Sequence, residues 1–521
     1  MHAIDAMTAA DILGGLPRRL HEVIARHVAE RPDQPALADG RDVWSYRAFA
    51  AAVDAVARDF ERLAIQPGDR VVLASENAVA LAASVFACSQ LDAWPVVANP
   101  RLTARELDQI CAHSGARRML LTAGVSKEAA DHAARLGAER RAIGPFSDIA
   151  VGALNAAAAP EPVMADPAKQ VAALMYTSGT TGQPKGVMLS HRNVLFAART
   201  STLLRGTGPG DRIYAVLPMS HIVGFSVLLV ATLMGGATAE LVPKYDAAAL
   251  AKAIAAERVT DLFGVPATYQ RLLEYKAAAG IARLARGRLR HLMVAGAPLD
   301  LTLKARVEEE FGLPLLNNYG ITECSPGLTG VRPQAPRGDA SVGRFLPGIE
   351  HRLIGRDGSP VAAGAVGELQ VRGANVMLGY YRAPELTAKA IDAAGWFNTG
   401  DLARLEGDHL FIAGRSKELI IRSGFNVYPA EVEAVLNAHA EVAQSAVIGR
   451  AVPGNEEVVA FVQPLPGATV SKEALMDHAA RQLAAYKRPS EIILLEALPA
   501  ASTGKILKHK LWDAAAAAGR V

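Results

Sequence analysis

Through the first three hundred residues, apolar runs of strand length alternate with longer stretches of helical period. That alternation builds parallel sheet covered by helices on both faces. Residues 71–75 (VVLAS) read as a strand, and Thr103 with Glu106 forms a capping box that opens a helix running toward His113. Three later pairs repeat the arrangement: 213–217 with the run 222–235, 260–265 with a helix over 269–278, and 291–295 with a helix over 299–311. The run 222–236 is shorter than the roughly 20 residues that span a bilayer, and Ser226 and Thr232 interrupt it, so it predicts a buried helix. Residues 151–169, rich in Ala and Pro without a period, predict a surface connection between lobes. From 342 to 411 the runs shorten and Gly punctuates them, as in antiparallel hairpins, which predicts a small β-rich subdomain. Beyond Gly414 the pattern predicts a helix over 429–437, strands over 442–448 and 458–464, and a helix over 472–484. These elements suit a separate C-terminal domain of about one hundred residues.

Composition narrows the function classes. A chain of 521 residues, 50% hydrophobic and 21% charged, has the proportions of a globular protein with several packed units, which excludes disorder and collagen. A net charge of +3 is too weak a field to name nucleic acid or an anionic membrane as the main partner. Cys88, Cys111 and Cys324 are odd in number and irregular in spacing, fitting neither a disulfide framework nor zinc. The N-terminal stretch has no Lys or Arg ahead of its apolar residues and is interrupted by Asp5 and Asp11, unlike a secretory signal. The expected address is the reducing cytoplasm, and oligomeric state is left open.

Candidate chemistry begins where residues 171–175 run into Tyr176-Thr177-Ser178-Gly179-Thr180-Thr181-Gly182-Gln183-Pro184-Lys185-Gly186. Glycines let backbone N–H groups approach phosphate oxygens, hydroxyls add donors, and Lys185 supplies a point charge. The segment therefore suits polyphosphate, with a plain Gly/Thr turn as the other reading, but it is not a Walker A loop, because Gly186 follows the lysine where Ser or Thr would stand.

This segment resembles the phosphate loop of the adenylate-forming superfamily, which includes acyl- and aryl-CoA synthetases, luciferases and amino-acid-activating domains. Further segments resemble that family in order: Asn318-Tyr319-Gly320-Ile321-Thr322-Glu323, Trp396-Phe397-Asn398-Thr399-Gly400-Asp401, Gly414-Arg415-Ser416-Lys417-Glu418, Gly424-Phe425-Asn426-Val427-Tyr428-Pro429 and Thr503-Gly504-Lys505. The resemblance implies an α/β fold. A large N-terminal AMP-binding domain of helix-covered sheets with a small β-subdomain (1–416) would be followed by a small mobile α+β domain (417–521).

The implied reaction has two halves. A carboxylate attacks the α-phosphorus of ATP to give acyl-AMP and pyrophosphate, and the thiol of CoA then displaces AMP. The resemblance places ATP or AMP against Thr177, Ser178, Gly179, Thr180, Thr181, Gly182, Lys185, Gly296, Ala297, Asn318 and Tyr319. It further gives Thr322 to the α-phosphate, Glu323 to Mg²⁺, and Asp401, with Arg415 nearby, to the ribose. Lys505 would bridge carboxylate and phosphate oxygens during adenylation. Lys417 is the implied hinge, and Ser423, Gly424 and Phe425 would line the pantetheine path once Lys505 has swung away.

Pro218-Met219-Ser220-His221 resembles the family's segment at the acyl pocket mouth. Ile222 stands where amino-acid-activating relatives carry an aspartate, which disfavours a free amino acid as substrate. Phe225, Val265, Met293, Ala297, Gly320 and Leu328 are apolar or small, so the acid is expected to carry an apolar tail, fatty or aryl, with a slight lean toward fatty. No arginine within these motifs would pair a second carboxylate. Ser220 and Lys508 depart from the family, standing where an aromatic and an arginine are usual. The first reading is thus an AMP-forming acyl-CoA synthetase using ATP, Mg²⁺ and CoA. A ligase loading a separate carrier protein, a luciferase-like oxygenase and a non-catalytic nucleotide or acyl binder are the other readings.

Overall fold

Apart from the hairpin of the phosphate-loop segment, the described apolar runs of the first three hundred residues resolve into two sheets, each carrying antiparallel strands at its margin. The computed structural model describes residues 3–178, 184–422, 425–453, 455–501 and 506–520. Among these, the first sheet has five strands: Trp94–Ala98, Arg70–Ala74 and Arg118–Leu121 run parallel, and Phe146–Val151 and Glu139–Ile143 add antiparallel. The second has nine among the described residues, with Leu315–Gly320, His291–Val294, Asp261–Gly264, Arg212–Ala215, Thr238–Leu241 and Pro35–Ala38 parallel. Val43–Ser45, Gly327–Gly330 and Arg344–Phe345 pair antiparallel at its margins. The parallel sheet expected from the apolar runs is thus present, extended at its edges by antiparallel strands. An edge strand such as Glu139–Ile143 buries little side chain and needs no apolar run to announce it.

Local signals account for the helices. Thr103 Oγ1 accepts from the Glu106 N–H, and the Glu106 carboxylate accepts from the Thr103 N–H at 2.8 Å, closing the expected capping box on Ala104–Ser114. Ser190 caps His191–Arg205 in the same reciprocal way with Asn193. The run 222–236 is a buried helix, but not a regular one. Val223–Val230 is wound as a π-helix, with the Ala231 N–H reaching back to the Ser226 carbonyl, before Ala231–Met234 continues as α.

Register in the second sheet positions the site. Gly264 pairs with Val294 and Val294 with Asn317, so two neighbouring parallel strands end level and the third, Leu315–Gly320, runs three residues beyond them. Residues 265, 295–297 and 318–320 thus share one rim, the end of a parallel sheet at which ligands bind. The phosphate-loop segment forms an antiparallel hairpin of Val171–Ser178 and Pro184–Ser190, with Gly379–Tyr380 pairing onto its second strand.

The β-rich subdomain is a four-stranded antiparallel sheet of Ile349–Ile354, Gly367–Gly373, Phe397–Glu406 and His409–Arg415 among the described residues. The C-terminal segment pairs Val442–Val452 with Asn455–Pro464 and adds Glu491–Leu494 in parallel, a strand the periodicity did not announce. Val432, Val447, Val458 and Leu475 cover one face of this sheet; Ala446, Phe461, Ile493 and Leu511 cover the other. Among the described residues these two clusters share no member with the cores of the first 410 residues. No helix of the described residues is long and apolar enough to cross a membrane.

Candidate active site

The rim strand Leu315–Gly320 delivers Tyr319 to the start of Phe397–Glu406, where its hydroxyl donates to Asp401 Oδ2 at 2.5 Å. Arg415, at the end of the neighbouring strand, brings Nε to 3.1 Å from Asp401 Oδ1. Asp401 is 3% exposed, and both of its oxygens have partners here, as a buried carboxylate requires. Its own N–H donates to Thr399 Oγ1, and the Thr399 hydroxyl donates to the Leu369 carbonyl at 2.8 Å, fixing the strand at this point. Burial, then the Asp401 charge, pushes the Tyr319 phenol well above its ordinary range, so it remains a donor. A carboxylate offers about four acceptor positions, so a site built on one suits ligand hydroxyls.

Thr322 and Glu323 lie in the short turn Thr322–Cys324 that follows the same strand. The Met377 N–H donates to the Glu323 carbonyl at 2.8 Å, and the Tyr380 hydroxyl donates to Glu323 Oε1 at 3.0 Å. The face of the Tyr380 ring lies 5.4 Å from Lys185 Nζ, which projects from the hairpin strand Pro184–Ser190. Tyr380 therefore touches the two groups of opposite charge expected to meet phosphate and metal. Burial and then Glu323 drive its phenol upward, keeping it protonated. The sequence reading missed Tyr380. No spacing relates it to Glu323 or Lys185; only the pairing of Tyr380 with Val187 brings it there.

Among the described residues no three His, Cys, Asp or Glu side chains converge as a metal cage. Glu323, one hard carboxylate with a single oxygen engaged by Tyr380, fits a different arrangement. In it Mg²⁺ keeps waters and takes one protein carboxylate together with substrate phosphates.

On the acyl side, Gly296 has φ +85° and a Cβ there would lie 3.5 Å from Val265 Cγ1, so the two residues adjoin on the rim. Asn318 is turned back on its own strand, donating to the Leu316 carbonyl at 2.8 Å. Of the six residues expected to line the acyl pocket, Phe225, Met293 and Leu328 are fully buried in the core, while Val265, Ala297 and Gly320 keep part of their surface. Gly320 has a further constraint: a Cβ there would lie 2.0 Å from the Pro326 carbonyl oxygen. Close backbone approach therefore requires glycine at this position whatever the acid. His221 Nε2, Ser220 Oγ and Ser226 Oγ are buried without a hydrogen-bond partner among the described residues. Burial holds the His221 imidazole below its usual range, so it is neutral.

Lys417 is exposed in the turn Ser416–Glu418, and the Ser416 hydroxyl donates to the Gly400 carbonyl at 3.2 Å. Phe425 is 55% exposed and stacks on Tyr486 with ring centroids 4.7 Å apart. Gly179, Thr180, Thr181, Gly182, Ser423, Gly424 and Lys505 lie outside the described residues, as does the side chain of Ser178. The half of the site that is described gathers Thr177, Lys185, Tyr319, Thr322, Glu323, Asp401 and Arg415 around the hairpin and the rim.

Comparison with known proteins agrees with this geometry. Residues 24–381 match the family model of AMP-binding enzymes, and residues 431–505 match that of the AMP-binding enzyme C-terminal domain. The chain is 34% identical over 493 residues to a feruloyl-CoA synthase of Amycolatopsis, covering 93% of this chain and 97% of the relative. It is 32% identical to an indoleacetate–CoA ligase of Aromatoleum aromaticum, covering 94% and 96%. Among solved structures, ATP-bound MatB from Rhodopseudomonas palustris superposes with a TM-score of 0.82 at 30% identity, covering 95% of this chain and 99% of that one.

Proposed function

Because the chain belongs to the AMP-binding enzyme family, as an AMP-forming acid–CoA ligase, we propose that its acid carries an aromatic ring on its tail. The observation that carries this reading is the rim itself. The residues left accessible there, Val265, Ala297 and Gly320, lie at the same end of three neighbouring strands and bring no charged or hydrogen-bonding side chain, an apolar surface suited to an aromatic ring. Feruloyl-CoA synthase and indoleacetate–CoA ligase, both relatives named for aryl acids, support it. The neutral His221 Nε2, buried and without a hydrogen-bond partner among the described residues, is available to hydrogen-bond the acid.

In the first half-reaction the acid's carboxylate oxygen attacks the α-phosphorus and pyrophosphate leaves. Charge gathers on the phosphates, where fixed donors are each worth roughly 10² to 10³ in rate. Asp401 holds the ribose hydroxyls, Thr322 bonds the α-phosphate, Lys185 and the hairpin loop meet the β- and γ-phosphates, and Lys505 joins carboxylate to α-phosphate. Glu323 would hold Mg²⁺, whose charge offsets that of the phosphates when bound. Rotation about Lys417 then carries residues 417–521 away as a domain, withdrawing Lys505 and presenting Ser423, Gly424 and Phe425 to pantetheine, whose thiol displaces AMP. Three unpaired cysteines fit work in the reducing cytoplasm.

A carboxylate panel read by AMP release, with and without CoA, tests both parts. Hydroxycinnamates and arylacetates should exceed medium- and long-chain fatty acids at least tenfold in kcat/KM, with AMP release tracking thioester. A fatty acid preferred by that margin overturns the aryl assignment. Release only with a pantetheinylated protein would replace CoA by a carrier as acceptor.

A further inference from the structure

Lys508, the lysine that departs from the family's arginine, is fastened at both sides. Its Nζ lies 2.8 Å from Glu418 Oε2 and 2.8 Å from Glu433 Oε1, and its side chain is 23% exposed. Burial opposes the ammonium charge, but Glu433 and Glu418 outweigh it and raise the group above the usual lysine range. Glu433 is itself anchored, its Oε1 accepting from the Val447 N–H at 2.7 Å. Glu418 directly follows Lys417. A cleft of about 250 Å³ bounded by Lys417, Glu418, Ile420, Val447 and Lys508 leaves one side of that turn unpacked, so the ion pair carries the restraint that packing does not. On the other side of Lys508, Ala500 bridges Ile506 and the Leu507 N–H donates to the Pro499 carbonyl at 2.7 Å, closing the chain on either side of residues 501–505.

We propose that Lys508 is a positioning residue, tying the chain beside Lys505 to the first residue beyond the hinge so that rotation at Lys417 is transmitted to Lys505 without slack. The inference rests on the hinge and adenylation roles proposed above for Lys417 and Lys505. A lysine suits the task because its point charge has three donors that can be shared between two carboxylates in different directions. Loosening it would leave Lys505 present but misplaced, and displacements on the order of 1 Å cost up to about 10² in rate.

The test uses full-length protein and separates the half-reactions: ATP–pyrophosphate exchange, and thioester formation from chemically supplied acyl-AMP and CoA. Lys508→Met and the isosteric Glu418→Gln should each slow exchange about tenfold while thioester formation stays within about twofold, and Lys508→Arg should restore exchange. Lys505→Ala is the reference. If it abolishes exchange while Lys508→Met and Glu418→Gln slow neither half-reaction, or slow both alike, Lys508 only stabilises the domain and the proposal fails alone. If Lys505→Ala leaves exchange intact, the underlying hinge-and-lysine reading fails and takes this one with it.

Discussion

The nucleotide side of the site is drawn from the rim strand, the hairpin and the four-stranded sheet, and the acyl side from the rim and the π-wound helix; the polar groups of the two sides are in opposite states. On the nucleotide side every described charge has a protein partner: Asp401 has Tyr319 and Arg415, Glu323 has Tyr380, and Lys185 has the Tyr380 ring. On the acyl side His221 Nε2, Ser220 Oγ and Ser226 Oγ are buried with no partner among the described residues. ATP is the same in every member of such a family, so its half can be organised in advance of binding. The acid differs between members, and on the reading proposed above for His221 such groups find their partner only when it arrives, at a standing cost of about 1 to 3 kcal/mol for each unpaired buried group.

The largest expected effect comes from unpairing the organised side. Asp401→Asn keeps the shape but removes the charge facing Arg415 and points an amide donor at Tyr319 or Arg415. The kcat/KM for ATP should fall about a hundredfold while the KM for the acid changes little. An equal loss for both substrates would erase the contrast between the two sides. A smaller effect is expected of Tyr380→Phe, which keeps the ring against Lys185 and deletes only the donor to Glu323. Pyrophosphate exchange at limiting Mg²⁺ should slow about tenfold, in line with one hydrogen bond to a charged group. Unchanged exchange would reduce Tyr380 to packing. The smallest is Ser226→Ala, which deletes an unpaired buried hydroxyl from the π-wound helix. Its urea midpoint should rise, by roughly 1 kcal/mol of stability, in the absence of acid. A fall in midpoint would mean that Ser226 is already satisfied and that the acyl side is no less organised than the other.

The same contrast explains what could be read from the chain. Hydroxyl, glycine and charged residues at the nucleotide side stand in contiguous motifs because short turns and strand ends present them, so Lys185, Thr322, Glu323 and Asp401 are visible in sequence. The α/β class was equally visible, since buried parallel strands are short apolar runs. Tyr380 was not, because its role depends on a strand pairing between residues 380 and 187. Nor was the π-wound geometry of Val223–Val230, where an all-apolar run hides its helical period. Phe225 and Val265 look alike in composition, and only packing separates the fully buried ring from the rim residue.

The carbonyl of Pro326 at the back of Gly320 limits how this enzyme's preference can be redrawn. A designer seeking to shorten the acyl pocket by adding bulk at Gly320 would displace main chain and disturb the turn that bears Thr322 and Glu323, losing nucleotide chemistry along with the unwanted acid. A combinatorial library aimed at new acids should therefore hold Gly320 constant and direct its variation to the other accessible rim positions, Ala297 and Val265.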